Sequence, residues 1–306
     1  MSFVRISPYS ITAALAAVLW AQNAVAADLV LYSPEPAEQQ NVDLTLPAVS
    51  GINGKLEFYG GASHAPTSAA FRAAGSLSIP VGDAFGVQLD VSAQNSGAGF
   101  LYGGAIHAFT RDPMSYLVGV TAAAVRSSEG TLAVIGPEAE LYLDRFSIEA
   151  WAGVGNINYD DPLLADVSGF FILADAVYYA TDDWRLSVGG SSLLGYNSLH
   201  LGTEYLLRDM GLPISLAGDL RYGEDGNYTI MAGLKGYFGG GDKSLIDRHR
   251  QDDPPNRALN LFAAGPLLFQ TAPPPPVDEH GCIIGEQIWG WDYDLEGEAC
   301  IPILEL

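Results

Sequence analysis

The chain has 306 residues, 48% of them hydrophobic and only 16% charged, with 35 glycines, 15 tyrosines and a formal net charge of −22. A disordered chain would be poorer in aliphatic and aromatic residues, and 14 Lys+Arg against 36 Asp+Glu do not supply the basic surface a nucleic-acid partner requires. Two cysteines and five scattered histidines do not make a zinc scaffold, and nothing in the composition implies a cofactor.

Residues 1–26 read as a secretory signal peptide. Arg5 supplies a thin positive start, Ile11 to Trp20 form a short apolar stretch, and Ala24-Val25-Ala26 gives a small-x-small cleavage pattern. The apolar stretch is shorter than the roughly 20 residues of a membrane-spanning helix. Cleavage leaves an exported chain that opens with an N-terminal periplasmic segment, residues 27–50.

From residue 51 to 239 the dominant period is two, the mark of strands with two unlike faces. In Phe85-Gly-Val87-Gln-Leu89-Asp-Val91-Ser-Ala93 the odd positions are apolar and the even ones small or polar. Read this way, about twelve strands begin near Lys55, Ala69, Phe85, Phe100, Ser115, Thr131, Phe146, Val167, Trp184, Asn197, Pro213 and Asn227. Compact turns such as Val81-Gly-Asp83 and Thr181-Asp-Asp183 alternate with connections on the other end that include the longer Asn156–Asp166 segment. Short turns on one rim and longer loops on the other fit an all-β fold: a transmembrane antiparallel up-and-down barrel of about twelve strands. An even strand number puts both barrel ends, and a C-terminal periplasmic tail (240–306), on the short-turn side.

The two faces differ in charge. Leu56, Phe71, Val87, Val118, Ile148, Ile172, Val188, Leu201, Leu216 and Ile230 lie on the apolar face. Lys55, Glu57, Arg72, Asp90, His107, Glu138, Glu140, Glu149, Asp175, Arg185, His200, Glu204, Arg208, Asp219, Arg221 and Lys235 lie on the other, which would line the lumen. An Arg or Lys on the lipid face near the midplane costs roughly 2–4 kcal/mol, so the segregation has a physical cause. Outward aromatics gather near strand ends: Phe85, Tyr116, Phe146, Tyr178, Trp184, Tyr205 and Phe238 on one rim, and Phe71, Phe100, Phe170, Tyr222 and Tyr228 on the other. Two such girdles suit rings at headgroup level. A soluble barrel with the apolar face as its core gives those aromatics no reason to gather at strand ends.

The run Leu234-Lys-Gly-Tyr-Phe238 and the Gly239-Gly-Gly-Asp segment that follows it to Pro255 resemble the end of a group of bacterial outer-membrane β-barrel proteins, mostly alphaproteobacterial. The resemblance implies fold and outer-membrane localisation and no defined activity. It also implies that the closing strand, with Gly233 and terminal Phe238, is the signal read by the barrel-assembly machinery. One departure stands out: in many such proteins the aromatic residue ends the chain, whereas here about 68 residues follow it.

Eight acids and six bases make the lumenal set near neutral. Such a lumen could be a narrow selective pore or a plug of ion pairs; Trp151, Phe171, Tyr142 and Tyr237 favour constriction. The leading expectation is a passive pore for small solutes. The alternative is a non-conducting structural or adhesive barrel whose loops or tail bind a partner. Enzyme activity comes third, because His107 and His200 lie in no Gly-x-Ser-x-Gly elbow and beside no evident nucleophile.

After Gly241 the composition changes. Eight of the 18 prolines fall here, including the run Pro273 to Pro276, which reads as a stiff spacer. Beyond it Cys282 and Cys300 are expected to form a disulfide, in a patch containing Trp289, Trp291 and Tyr293 that could dock on the rim or on a periplasmic partner. Asp292-Tyr-Asp294-Leu-Glu296-Gly297 starts like a calcium loop, but Ile303 stands where the bidentate Glu is required, so no metal site is expected.

Overall fold

Alternation decides the architecture, because a strand with one apolar face must hide or embed that face along its whole length. The computed structural model describes residues 46–306 apart from 65–66, 97–98, 209–212, 270–277, 281, 283–286, 293–296 and 303–306. The signal peptide and most of the 27–50 segment lie outside the described residues. The strands are β1 (Asn53–His64), β2 (Thr67–Val81), β3 (Phe85–Ser96), β4 (Gly99–Asp112), β5 (Tyr116–Arg126), β6 (Gly130–Leu143), β7 (Phe146–Tyr159), β8 (Val167–Thr181), β9 (Trp184–Leu193), β10 (Tyr196–Leu207), β11 (Ile214–Gly223) and β12 (Tyr228–Phe238). Every expected start falls within two residues of an observed one. Each strand pairs antiparallel with its sequence neighbours, and β1 closes on β12 in the register Gly54↔Phe238 to Ser63↔Thr229.

The outer surface is the apolar face. Leu56, Val118, Val188, Leu201, Leu216 and Ile230 are each about half exposed, and every aromatic of the two expected girdles is exposed. The inner face carries the charged set. The β6–β7 ladder is interrupted between the pairs Ile135↔Val154 and Glu138↔Trp151. Pro137 has no N–H to donate there, and Gly136 and Gly153 let the two backbones come close. A Cβ on Gly136 would lie 1.9 Å from the Ala152 carbonyl oxygen, and one on Gly153 2.1 Å from that of Ile135.

The first part of the tail turns into the lumen. Gly239, Gly240 and Gly241 take φ of 73°, 68° and 66°, a left-handed run that only glycine adopts without strain. The Arg248 guanidinium donates to the carbonyls of Gly239 and Gly241 and fixes the reversal. The chain then forms α1 (Leu245–Asp247), a wide turn over Arg248–Asp252, α2 (Arg257–Leu261) and α3 (Gly265–Leu268). Ser244 and Asn256 cap α1 and α2 by accepting from the N–H groups of Asp247 and Leu259.

A hairpin follows, β13 (Gln287–Asp292) paired with β14 (Gly297–Pro302). Cys282 and Cys300 are disulfide-bonded, and the His280 and Trp289 rings stack with centroids 5.0 Å apart. The sequence shows no sustained alternation in this part, since two six-residue strands are too short to establish a period. The calcium-like run falls mainly on residues outside those described.

Candidate functional site: the occupied lumen

The lumen is filled in layers by the tail. At the mouth where both barrel ends lie, the Leu245 N–H donates to Asp183 Oδ1 at 3.1 Å and the Ile246 N–H to the Asp182 carbonyl at 3.0 Å. Both contacts are to the β8–β9 turn. Asp252 gathers the residues on either side of the barrel seam. It accepts from Ser50 Oγ at 2.6 Å, Asn53 Nδ2 at 3.1 Å and Lys243 Nζ at 2.6 Å. Arg250 lies over the rings of Tyr142 and Tyr179, 5.2 and 5.7 Å from their centroids. His249 sits 3.0 Å from the Tyr179 hydroxyl and 3.1 Å from that of Tyr237.

Midway, the tail locks against β1 to β6. Lys55 Nζ donates to the Pro254 carbonyl at 2.8 Å, and Gln88 Nε2 to the same oxygen at 3.2 Å. Asn256 reaches the Gly75 carbonyl and the Ser76 hydroxyl. The Arg257 N–H donates to Asp90 Oδ2 at 2.9 Å, and its guanidinium to Glu138 Oε2 at 3.1 Å, with Glu140 3.7 Å away. His107 bridges Asp90 and Glu138 at 2.8 and 3.0 Å. Thr121 Oγ1 lies 3.0 Å from His107 and donates to Glu138 at 2.7 Å. A hydroxyl–imidazole–carboxylate line thus exists that sequence reading did not find. Its members are buried in the wall, Arg257 caps the carboxylates, and the arrangement acts as a lock for the tail.

Above this layer the lumen turns apolar. Leu101, Val125, Leu132, Val134, Trp151, Ile157, Phe171, Leu173 and Leu193 form one cluster with Leu259, Leu261, Phe262 and Leu268 of the tail. The Trp151 and Phe171 rings meet edge to face at 4.7 Å. Constriction by these bulky residues was expected; that they bind a segment of the same chain was not. The available signal was the apolar run Leu259-Asn-Leu-Phe-Ala263, which precedes the proline run read as a spacer.

The wall from β7 through β12 is left freer and carries a chain of ion pairs. Arg185 meets Glu149 at 3.1 Å, and Lys235 meets Glu204 at 2.7 Å and Glu57 at 3.4 Å. His200 is held between Asp175 and Asp219 at 2.9 Å each. Arg72 meets Asp219 at 2.9 Å and Gln94 at 2.8 Å, while Arg221 lies 3.5 Å from Asp219 and donates to the Asn260 carbonyl. Spaces remain between this wall and the tail, two of them sizeable among the described residues. One, of about 110 Å³, lies beside the ion pairs. The other, of about 460 Å³, opens towards the loops and is lined by Gln94, Tyr196, Tyr228 and Phe262. Arg72 and Arg221 line both, so these two side chains stand between them.

The structure thus places the expected lumenal residues on the inner wall, with one correction. Arg208 lies past the end of β10, largely exposed, and pairs with Asp183 at 2.6 Å at the mouth where both barrel ends lie. A residue outside the expected set takes its place: Arg111 is buried in β4 with its guanidinium 4.9 Å from the Phe109 ring centroid. Counting it, the inner wall has eight acids against six bases, and the tail segment brings Arg248, Arg250 and Arg257 with Asp247, Asp252 and Asp253. At the seam, Phe238 lies over Gly54, and a Cβ on Gly233 would meet the Tyr59 ring at 2.6 Å, so both residues of the expected assembly signal also close the barrel.

No family model and no curated protein matches the chain. Among solved structures, the chain is similar to the NanC porin (TM-score 0.45, 7% identity, 62% of this chain and 100% of that one). It is also similar to the KdgM porin (0.43, 8%, 60% and 99%). A third is a Salmonella typhi outer membrane phospholipase dimer with bound calcium (0.42, 12%, 65% and 94%). The barrel's own geometry decides the environment: a closed ring of twelve antiparallel strands, an uncharged apolar belt facing outward, and aromatic girdles at both rims. The chain is an outer-membrane β-barrel.

Proposed function

We propose that the barrel is a narrow pore for small polar solutes, its passage running between the β7–β12 wall and the resident tail segment. The observation that carries this reading is the pair of spaces meeting at Arg72 and Arg221. They follow one wall for much of its height, and polar and ionic groups there replace part of a solute's hydration. The inner space holds only a few water molecules, so the solutes are small and the tail is the restrictor. The closing strand, with Gly233 and Phe238, is read by the barrel-assembly machinery in the same proposal. Purified protein in liposomes tests the reading by osmotic swelling with solutes of graded size. Uptake of glycerol-sized solutes that falls away by disaccharide size supports it. Swelling no faster than that of empty liposomes for every solute overturns it.

A further inference from the structure

The tail segment enters the lumen at one rim and leaves it at the other. Its entry is tied to the β8–β9 turn through Leu245 and Ile246. At the far end, Ser127 Oγ in the β5–β6 loop donates to the Leu268 carbonyl at 2.8 Å, and the Tyr159 hydroxyl at the end of β7 donates to the Leu267 carbonyl at 3.1 Å. The Phe269 ring packs against Gly99, at the start of β4 on that same rim. Asn53 and Phe238, where the barrel begins and ends, lie on the entry rim, and an even strand number puts both ends of such a barrel on the periplasmic side. Residue 269 therefore stands at the outer face.

We propose that the barrel threads its own C-terminal segment through its lumen and displays the disulfide-closed β13–β14 hairpin on the cell surface, with residues 245–269 as the anchor. The two routes by which the chain could return are closed. The lumen beside the tail narrows to the space of about 110 Å³, too little for a second pass of chain. Outside the barrel, irregular backbone in hydrocarbon leaves its polar groups unbonded at several kcal/mol each. The nine residues from Phe269 to Asp278 span roughly 30 Å at full stretch, about the hydrocarbon thickness, so only a straight path along one of those routes would reach the periplasm. The anchor resists sliding because Arg257 is ion-paired and hydrogen-bonded inside the wall and Asp252 ties the tail to the seam. The cystine suits an oxidising exterior. Threading also gives the tail a task beyond restricting the pore, since the wall, the anchor and the hairpin form one continuous device.

The test uses intact cells. Full-length protein carries one epitope tag after Leu306 or, separately, one after Ala27, and a heat-shift gel confirms that each barrel is folded. The expected result is that antibody binds the C-terminal tag on intact cells and the N-terminal tag only after the outer membrane is permeabilised. In parallel, the untagged chain is mildly reduced on intact cells and treated with membrane-impermeant biotin-maleimide, which is expected to label Cys282 and Cys300. A C-terminal tag and cysteines that react only after permeabilisation overturn the proposal. If a tagged form fails to assemble, the cysteine result on the native chain decides. Conductance plays no part in either readout, so failure here is distinct from failure of the pore reading.

Discussion

Arg257 shows how one side chain can commit a segment to a place. Its guanidinium sits between Glu138 and Glu140, its N–H caps Asp90, and all four residues are buried. Removing one partner of a buried ion pair costs about 3–5 kcal/mol, because the other charge is left without compensation. Arg257→Ala should therefore lower the unfolding free energy of the micelle-bound protein by an amount in that range, read as a lower urea midpoint. The double change Arg257→Met with Glu138→Gln should recover most of the loss; an unchanged midpoint in Arg257→Ala would contradict the lock. At this scale the sequence is legible in one direction only. Alternation identifies Asp90, Glu138 and Glu140 as inward, but it cannot say that Arg257 satisfies them, since that partner lies more than a hundred residues away in the tail. It also fails at strand ends. Arg208 and Arg111 both sit where a strand meets a turn, and a period of two, extrapolated by one residue, does not distinguish lumen from rim.

The strands and the tail segment obey different rules. The strands could be read because each stands between lipid and lumen and repeats one contrast throughout. The β6–β7 contact depends on missing side chains. Gly136→Val or Gly153→Val forces the strands apart and should cost about 1–3 kcal/mol in the same unfolding assay. Gly60→Ala is the control and should leave stability nearly unchanged, because the nearest atoms to a Cβ there are 3.9 Å away. The tail was harder to read. Its helices are three to five residues long and contact the wall through single side chains, so no period develops. Its apolar residues match inward apolar positions on β4 to β9 that a search for charge passes over. The two arginines between the remaining spaces give this element a selectivity. With Arg72 and Arg221 both changed to Gln, Asp219 loses its two arginine partners, and the reversal potential in a salt gradient should move towards cation preference. A selectivity identical to that of the unchanged protein would mean that ions do not pass these residues.

The whole molecule is a barrel matched to a bilayer outside and to its own chain inside. The outer match predicts a penalty that a soluble barrel would not show. Leu201, in the middle of β10 and about half exposed, faces lipid, so Leu201→Arg should cost roughly 2–4 kcal/mol in liposomes. If it costs no more than a surface substitution in water, the lipid belt is misassigned. Fold and environment were legible at this scale because the bilayer imposes the same demand on every strand. The destination of the tail was not, since it follows from where the three glycines after Phe238 send the chain, and local composition does not encode that direction. The central claim is that the tail occupies the lumen and sets its conductance. The measurement that tests it most directly is single-channel recording in planar bilayers of the full-length protein and of a form lacking residues 242–306, each shown to be a closed barrel by its unboiled gel mobility. Small steps for the full chain, and steps several-fold larger without the tail, are the predicted result. Equal conductance from two folded barrels would contradict it.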